Sequence, residues 1–159
     1  MGDGAEGGGQ RAEDGGQMTE DRRRKTEDEL YLLTVKFNSY NMIQSFNDLE
    51  VYQIARKLEK EIFELTKKFP AEEKYSLTDQ IRRSSRSVKA NIAEGWGKKI
   101  YIDVFKRHLV DSLGSKDETI SWLQSAFDCQ YISEGEYNLL CKEYDILGSK
   151  IFKLRENWK

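Results

Sequence analysis

The residues best suited to chemistry lie in one helix-sized segment, residues 79–99, which reads "DQIRRSSRSVKANIAEGWGKK". Four cations recur along it at helical spacing: Arg82, Arg83, Arg86 and Lys89. Guanidinium and ammonium groups in such an arrangement can bind the phosphates of nucleic acid without reading its sequence. The same groups can instead pair with carboxylates of a neighbouring helix inside a bundle. Both interpretations follow from the residue types, and the elements that carry the segment must decide between them.

Residues typical of catalytic and metal sites are sparse in this chain. His108 is the one histidine, and no Ser/His/Asp or Cys/His set can be assembled around it. Cys129 and Cys141 form no CxxC pair, and together with one histidine they do not supply a tetrahedral metal site. A di-iron site in a helical bundle needs Glu-x-x-His motifs on two helices, which the chain lacks. The sequence therefore predicts a protein that is not an enzyme, with no catalytic residue, metal or cofactor.

Composition predicts a soluble helical protein. Charged residues make up 34% and hydrophobic residues 38% of the 159 residues, with a single proline, a balance typical of helices with narrow apolar seams. No stretch approaches the ~20 apolar residues of a membrane span, and no secretory signal opens the chain. We therefore expect a cytoplasmic protein with reduced thiols and no membrane contact.

The first part of the chain differs in composition from the rest. Residues 1–44 form a low-complexity leader in which Asp14, Asp21 and Asp28 recur seven residues apart within "AED", "TED" and "TED". No apolar residue fills the core positions of this repeat, so we expect it to be disordered and solvated. Within the leader, the structure of segment 29–44 is left open, because its apolar residues alternate as in a strand. The folded domain is predicted over residues 45–159.

Four amphipathic helices are predicted within that domain. The first seam has heptad spacing and contains Val51, Ala55, Leu58, Ile62, Leu65 and Phe69. The last seam has the same spacing and contains Tyr137, Leu140, Tyr144, Leu147, Ile151, Leu154 and Trp158. Two more helices lie between them, from about Ser76 to Glu94 and from about Tyr101 to Cys129. Because all three connections are short, the predicted fold is all-α, an up-down-up-down antiparallel four-helix bundle.

Capping residues predict where these helices begin and end. Ser76 is the expected N-cap of the second helix and Gly95 its stop. Ser133 and Glu136 form a capping box for the fourth helix. Glu94 lies at the unfavourable end of its helix dipole and requires a nearby cation, for which Lys98 or Lys99 is available.

The two middle helices form a hairpin whose register can be predicted. Residues facing each other across it should have numbers that sum to nearly 200, which places Arg82 near Glu118 and Arg86 near Asp111. Residues small enough for close helix approach lie at similar depth: Ser84, Ser85, Gly114 and Ser115. On this interpretation the polar residues of the segment are mainly architectural, a layer that fixes how the helices pair.

The chain resembles a known family over its predicted domain. After Phe69-Pro70 it carries "YSLTDQIRRSSRSVKANIAEGWGK" and then "GSKDE", which is similar to the four-helix bundle proteins encoded within intervening sequences of bacterial 23S ribosomal RNA genes. The positions that match the family's structural motif include Gln80, Arg82, Ser87, Asn91, Glu94, Gly95, Gly114, Ser115 and Glu118. The resemblance covers residues 47–157 and leaves out the N-terminal leader.

This resemblance implies an assembly and a set of partners. Relatives form ring-shaped homopentamers of four-helix bundles. A related branch, the accessory subunit of diversity-generating retroelements, is basic, binds nucleic acid and associates with a reverse transcriptase. The partners implied by analogy are further copies of the chain, RNA or DNA, and a reverse transcriptase.

The distribution of charge identifies candidate nucleic-acid-binding residues. Residues 1–44 hold nine acidic and six basic residues, which leaves 19 acidic and 20 basic residues in the rest of the chain. Because this part is nearly neutral, nucleic-acid binding requires a local cluster of cations. The candidates without an obvious internal partner are Arg83, Lys89, Lys98 and Lys99, with Trp96 as a base-stacking residue. The alternative is that each cation is an ordinary solvated charge and that Trp96 packs over the bundle end or against another subunit.

Two classes of function follow from these residues. The first is a non-catalytic, nucleic-acid-associated bundle of the 23S rRNA intervening-sequence type, or in its retroelement form a reverse-transcriptase accessory subunit. The second is a purely structural or protein-interaction bundle. Either would assemble through apolar residues outside the main seams, which are Ile54, Phe63, Trp122, Ala126, Ile146 and Phe152.

Overall fold

The computed structural model of this chain describes Met1, Thr26, Glu29 and residues 43–159. The chain divides into two units, residues 1–42 and residues 43–159, and the bundle is contained in the second. The predictions for the seven-residue aspartate repeat and for the alternating segment of the leader lie outside the described residues.

The second unit is built from four helices and three short 3₁₀ turns. The helices are α1 (Glu50–Leu65), α2 (Leu77–Gly97), α3 (Ile102–Asp128) and α4 (Glu134–Asn157). The 3₁₀ turns are Phe46–Asp48, Thr66–Lys68 and Ala71–Tyr75. Each helix packs against the next along the chain, and α4 packs back against α1. The predicted all-α four-helix bundle is therefore confirmed for residues 43–159.

The core follows the predicted seams. The first seam is buried along its whole length, from Val51 in α1 to Phe69 after its end. In α4 the centre of the seam is fully covered, and Tyr137, Leu154 and Trp158 pack half-buried at its ends. Burial of each large apolar side chain contributes about 1.5–3 kcal/mol, so these two seams supply much of the free energy that closes the bundle.

The ends of α2 differ from the prediction in two ways. Ser76 makes no capping bond to the helix; its hydroxyl hydrogen-bonds to Glu73, whose carboxylate accepts the Leu77 N–H (3.2 Å) and so takes the place of the cap. The helix also does not stop at Gly95 but continues to Gly97, and the N–H of Lys98 then closes it onto the carbonyl of Gly95 (2.9 Å). By contrast, the capping box of Ser133 and Glu136 at α4 is confirmed.

Hydroxyl groups line the contact between α2 and α3. Thr119 Oγ1 lies 2.9 Å from Ser84 Oγ, and Ser112 Oγ donates to the Val88 carbonyl (2.8 Å). These partners' numbers sum to 203 and 200, so the predicted hairpin register is confirmed. Side chains this small let the two backbones approach closely, and every buried hydroxyl in this layer finds a partner.

Gly95 marks a close approach of the two helices. A Cβ atom placed on it would lie 2.7 Å from His108 Cβ and 3.0 Å from Phe105 Cδ2. Its role is therefore close packing within α2, not helix termination. Gly114, predicted to serve the same close approach from α3, is exposed, and a Cβ there would meet nothing within 4 Å.

Replacing Gly95 tests this contact. We expect Gly95→Ala to lower the free energy of unfolding by about 1–3 kcal/mol, because the added methyl group overlaps His108 and the helices must separate. The matched control is Gly114→Ala, which lies in open space inside a helix and should raise stability by up to about 1 kcal/mol. Urea denaturation followed by circular dichroism measures both, and equal effects of the two substitutions would contradict the packing role.

The capping box gives a pH-dependent prediction. The pKa of Glu136 falls from 4.5 to about 2, chiefly because Lys68 Nζ donates to its carboxylate, with the Ser133 N–H and hydroxyl adding further bonds. A lowered folded-state pKa stabilises the fold above pH 4.5, and that contribution is lost as the pH falls toward 2. We expect Glu136→Gln to reduce stability by about 0.5–1 kcal/mol at pH 7, since the pair is partly solvated.

The same substitution should cost progressively less at acid pH. Denaturation curves of wild type and Glu136→Gln at pH 7 and pH 2.5 measure the difference. A difference that stays constant between the two pH values would show that the carboxylate charge does not contribute at this helix end.

Candidate nucleic-acid interface

The structure places each of the four predicted cations beside a partner within the bundle. Lys89 Nζ lies 2.5 Å from Glu59, and Lys98 Nζ lies 2.6 Å from Glu94. The remaining two contacts are weaker: Arg83 is 3.8 Å from Asp79, and Lys99 Nζ stands 4.3 Å from the ring centroid of Trp96. The prediction that these four cations lack internal partners is therefore wrong. The compensation of Glu94 by a lysine is confirmed, and the bond to Lys98 also lowers the pKa of that carboxyl.

These four cations also do not lie together. Lys98 and Lys99 follow the end of α2, about 13 Å along the helix axis beyond Lys89. Of the four, only Lys89 lines a groove that lies between α1 and α2. The helix geometry therefore separates the four cations, and they do not form a single patch.

Trp96 occupies a different place from the one predicted. It lies in the last turn of α2, beyond the predicted stop at Gly95, and is only 7% exposed. Its ring packs edge-on against Trp158, with centroids 5.9 Å apart, and Trp158 in turn packs against Phe105 at 4.6 Å. Since its ring is buried at the bundle end, the alternative interpretation, packing over that end, agrees with its position.

Arg82 and Arg86 of α2 face α1 instead of α3. Arg86 Nε lies 3.6 Å from Glu59, and Arg82 Nε donates to Thr66 Oγ1 (2.7 Å). The predicted pairs with Asp111 and Glu118 are therefore wrong. The hydroxyl side of α2 packs on α3, so positions 82, 86 and 89, which share another face by i, i+4, i+7 spacing, are turned toward α1.

A basic groove results between α1 and α2. Its volume is about 600 Å³, and its charged lining comprises six cations and one anion: Arg56, Lys57, Lys60, Arg82, Arg86, Lys89 and Glu59. Gln53, Phe63 and Ser85 complete it. We call this set of residues the α1–α2 groove. It is a local excess of positive charge in a domain that is nearly neutral in sum.

A second groove does not share this excess of positive charge. The groove between α1 and α4 has a volume of about 690 Å³ and is charge-balanced, with three lysines and three glutamates: Lys57, Lys60, Lys68, Glu61, Glu64 and Glu136. Long polar side chains on the bundle surface therefore do not by themselves make a basic groove.

The cations of the α1–α2 groove differ in how far they are neutralised. Glu59 is shared by Arg86 and Lys89, and Lys57 binds Glu61 and Glu143, which raises its pKa. Within residues 43–159, Arg56 and Lys60 form no hydrogen bond or ion pair. Their charges are exposed and available to a ligand.

Arg56 and Lys60 were missed by the sequence analysis. Their signal is the pair of cations at i, i+4 on the polar side of α1, which becomes meaningful once that side is known to border α2. The short connection, residues 66–76, makes α1 and α2 neighbours and so brings this pair beside the cations of α2.

The remaining motif residues mostly serve the α2–α3 contact. Asn91 Nδ2 donates to the Ser87 carbonyl (3.1 Å), and the Ser87 and Ser115 hydroxyls lie 2.9 Å apart. Glu118 is exposed and accepts the Trp122 Nε1–H (3.2 Å) on its own helix. Gln80 is half-buried on α2.

The residues that the structure describes do not supply a metal site or a membrane-spanning helix. The described part of the chain contains no group of three or more His, Cys, Asp or Glu side chains able to hold a metal ion. None of the helices described here combines the length and apolar character needed to cross a lipid bilayer. The basic groove is therefore the candidate functional site among the described residues.

Comparison with known proteins agrees with this architecture. A family model for the 23S rRNA-intervening sequence protein matches residues 47–153. A crystal structure of a protein with unknown function from the S23 ribosomal protein family of Bacteroides thetaiotaomicron has the same fold, with a TM-score of 0.61 at 23% identity, over 67% of this chain and 99% of that one. A comparison with curated proteins finds no match.

The fold and the groove define a helical-bundle protein with a basic interhelical surface. The family match spans most of the chain and every buried apolar residue of the bundle, from Leu49 to Ile151. The chain belongs to the family of 23S rRNA-intervening sequence proteins.

The position of Trp96 gives a test of structural against binding roles. We expect Trp96→Ala to lower the free energy of unfolding by about 3–5 kcal/mol, because it removes a buried aromatic ring from the bundle end. Tyr75→Ala is the control, since Tyr75 is 83% exposed and should change stability by less than about 0.5 kcal/mol. Chemical denaturation measures both. Unchanged stability of the Trp96 variant together with a loss of nucleic-acid affinity would restore its predicted stacking role.

Proposed function

We propose that this protein is a non-catalytic, cytoplasmic, nucleic-acid-associated bundle, and that RNA binds along the α1–α2 groove. The observation that carries the proposal is the lining of that groove, with six cations against one carboxylate. Nucleic-acid binding without sequence preference depends on such clustered cations, which displace the counterions of the phosphate backbone.

The arrangement of these cations suits a polyphosphate backbone better than a single small anion. Arg56 and Lys60 lie on one wall, about 6 Å apart along α1. Arg82, Arg86 and Lys89 extend over about 10 Å of the opposite wall. Successive phosphates of a strand laid in the groove would therefore meet cations from both sides.

Assembly would multiply this surface. We further propose the ring-shaped homopentamer implied by the family resemblance. Exposed apolar residues on α4 support subunit contacts, namely Leu139, Ile146 and Phe152. Ala126, predicted as part of such a contact, is fully buried in the core and does not contribute. Five copies of a weak groove in one ring bind a long RNA much more tightly than one copy does.

A protein partner is the second candidate function. The connection into α3 exposes neighbouring apolar side chains at the bundle end, from Ile100 (78% exposed) and Tyr101 (64%) to Ile102 and Val104. Exposed apolar clusters of this kind favour contact with another protein. A reverse-transcriptase accessory role, or a purely structural interaction, would use this end of the molecule instead of the groove.

Fluorescence anisotropy with a labelled fragment of structured 23S rRNA tests the main proposal. We expect affinity to fall steeply as salt rises, because each phosphate contact releases a counterion. The double variant Arg56→Ala/Lys60→Ala should bind at least about tenfold more weakly and show a smaller salt slope.

The matched control removes one arginine and one lysine elsewhere. Arg107→Ala/Lys142→Ala changes the net charge by the same amount at exposed positions of α3 and α4 outside the groove. Equal loss of affinity in both double variants would place binding elsewhere on the surface. Absence of binding at low salt would overturn the nucleic-acid function and favour a protein partner.

A further inference from the structure

Arg82 is the one arginine of the α1–α2 groove whose guanidinium is held in place without being neutralised. Its Nε donates to Thr66 Oγ1 at 2.7 Å, and its guanidinium carbon lies 4.7 Å from the ring centroid of Phe63. The side chain is half-buried. Within residues 43–159 it forms no salt bridge.

The contact to Thr66 fixes one edge of the guanidinium. Thr66 is only 3% exposed, and its hydroxyl donates to the Ile62 carbonyl (2.8 Å), which aims its lone pairs toward Arg82. The acceptor is therefore anchored by the end of α1. A guanidinium bonded to a neutral hydroxyl has no carboxylate to offset its positive charge, unlike an arginine in a salt bridge.

Phe63 fixes the plane of the same group. An arginine over an aromatic face is attracted by the ring quadrupole, and the contact favours a defined orientation. With Nε engaged and the plane set by the ring, the two terminal amino groups Nη1 and Nη2 remain without a partner among the described residues. These two amino groups form the edge of the guanidinium that can bind two oxygens of one anion.

The neighbouring arginines differ from Arg82 in this respect. Arg86 is drawn toward Glu59 (3.6 Å), and Arg83, outside the groove, toward Asp79 (3.8 Å). A half-buried cation without a counter-ion has lost part of its hydration, so binding of an anion there is favourable. The groove thus contains a pre-oriented receptor with further positive charge beside it.

We propose that Arg82 binds a phosphate group bidentately through Nη1 and Nη2, with Thr66 as its positioning residue. The source of that phosphate, an RNA backbone, rests on the proposed function. Phosphate oxygens match the planar donor pair of arginine, and a pre-oriented guanidinium loses little conformational freedom on binding.

The first test keeps the charge and removes the geometry. Arg82→Lys retains one positive charge but cannot donate two parallel bonds or lie flat on Phe63. In the anisotropy assay with the labelled 23S rRNA fragment, we expect about tenfold weaker binding with an unchanged salt slope. Unchanged affinity in Arg82→Lys, with weakening still seen in Arg56→Ala/Lys60→Ala, would overturn the role of Arg82 and leave the groove function standing.

The second test acts through Thr66. Thr66→Val keeps the shape and the charge of the groove but removes the oxygen that accepts from Arg82 Nε. We expect weaker RNA binding in Thr66→Val and near wild-type binding in Thr66→Ser, which retains the hydroxyl. A merely structural role for Thr66 would lower the melting temperature of Thr66→Val without changing RNA affinity under conditions where the variant is folded, and this result would overturn the positioning role.

The third test separates the phosphate site from its source. Inorganic phosphate, compared with chloride at equal ionic strength, should raise the melting temperature of wild type and not that of Arg82→Lys. If this difference is found but RNA does not bind, the phosphate site stands and the nucleic-acid function falls. If neither phosphate binding nor RNA binding depends on Arg82, the inference is wrong. It is equally wrong if poly-L-glutamate displaces RNA as effectively as inorganic polyphosphate does, because carboxylates would then serve in place of phosphates.

Discussion

The close packing of α2 against α3 is the constraint on which the other features depend. At Gly95 the helices approach so closely that a single methyl group would overlap His108. Along the same contact, hydroxyl groups satisfy one another, as Ser84 and Thr119 do at 2.9 Å. This contact uses the small-residue side of α2. Arg82, Arg86 and Lys89 then emerge on another side of the helix, which borders α1.

Local charge therefore matters more than net charge in this molecule. The chain beyond the leader is nearly neutral, with 19 acidic and 20 basic residues, and most surface ion pairs of this kind contribute little to stability. The α1–α2 groove departs from this balance because α1 contributes Arg56 and Lys60 with only Glu59 to offset the cations of α2. The α1–α4 groove, with equal numbers of lysines and glutamates, has no such excess. One face of a common bundle is thereby suited to a polyanion.

The features predictable from the sequence are those set by periodicity. Heptad spacing gave the seams, the short connections gave the antiparallel topology, and simple counting across the hairpin gave the depth at which residues of α2 and α3 meet. The partners of the arginines were not predictable in this way, because register sets depth along a helix but not the direction in which a long side chain leaves it. Arg82 reaches Thr66 through a 3₁₀ turn after α1, a geometry that the heptad pattern does not encode. Gly95 was misread for a related reason, since glycine at a helix end and glycine at a close contact look alike in one sequence.

Photo-cross-linking of the full-length protein to a labelled 23S rRNA fragment, with cross-linked peptides identified by mass spectrometry, tests the central claim most directly. The claim is that nucleic acid lies between α1 and α2. The predicted result is cross-links within residues 53–63 of α1 and residues 82–89 of α2, lost together when the salt concentration is raised. Cross-links confined to residues 98–104, at the apolar end of the bundle, would contradict it.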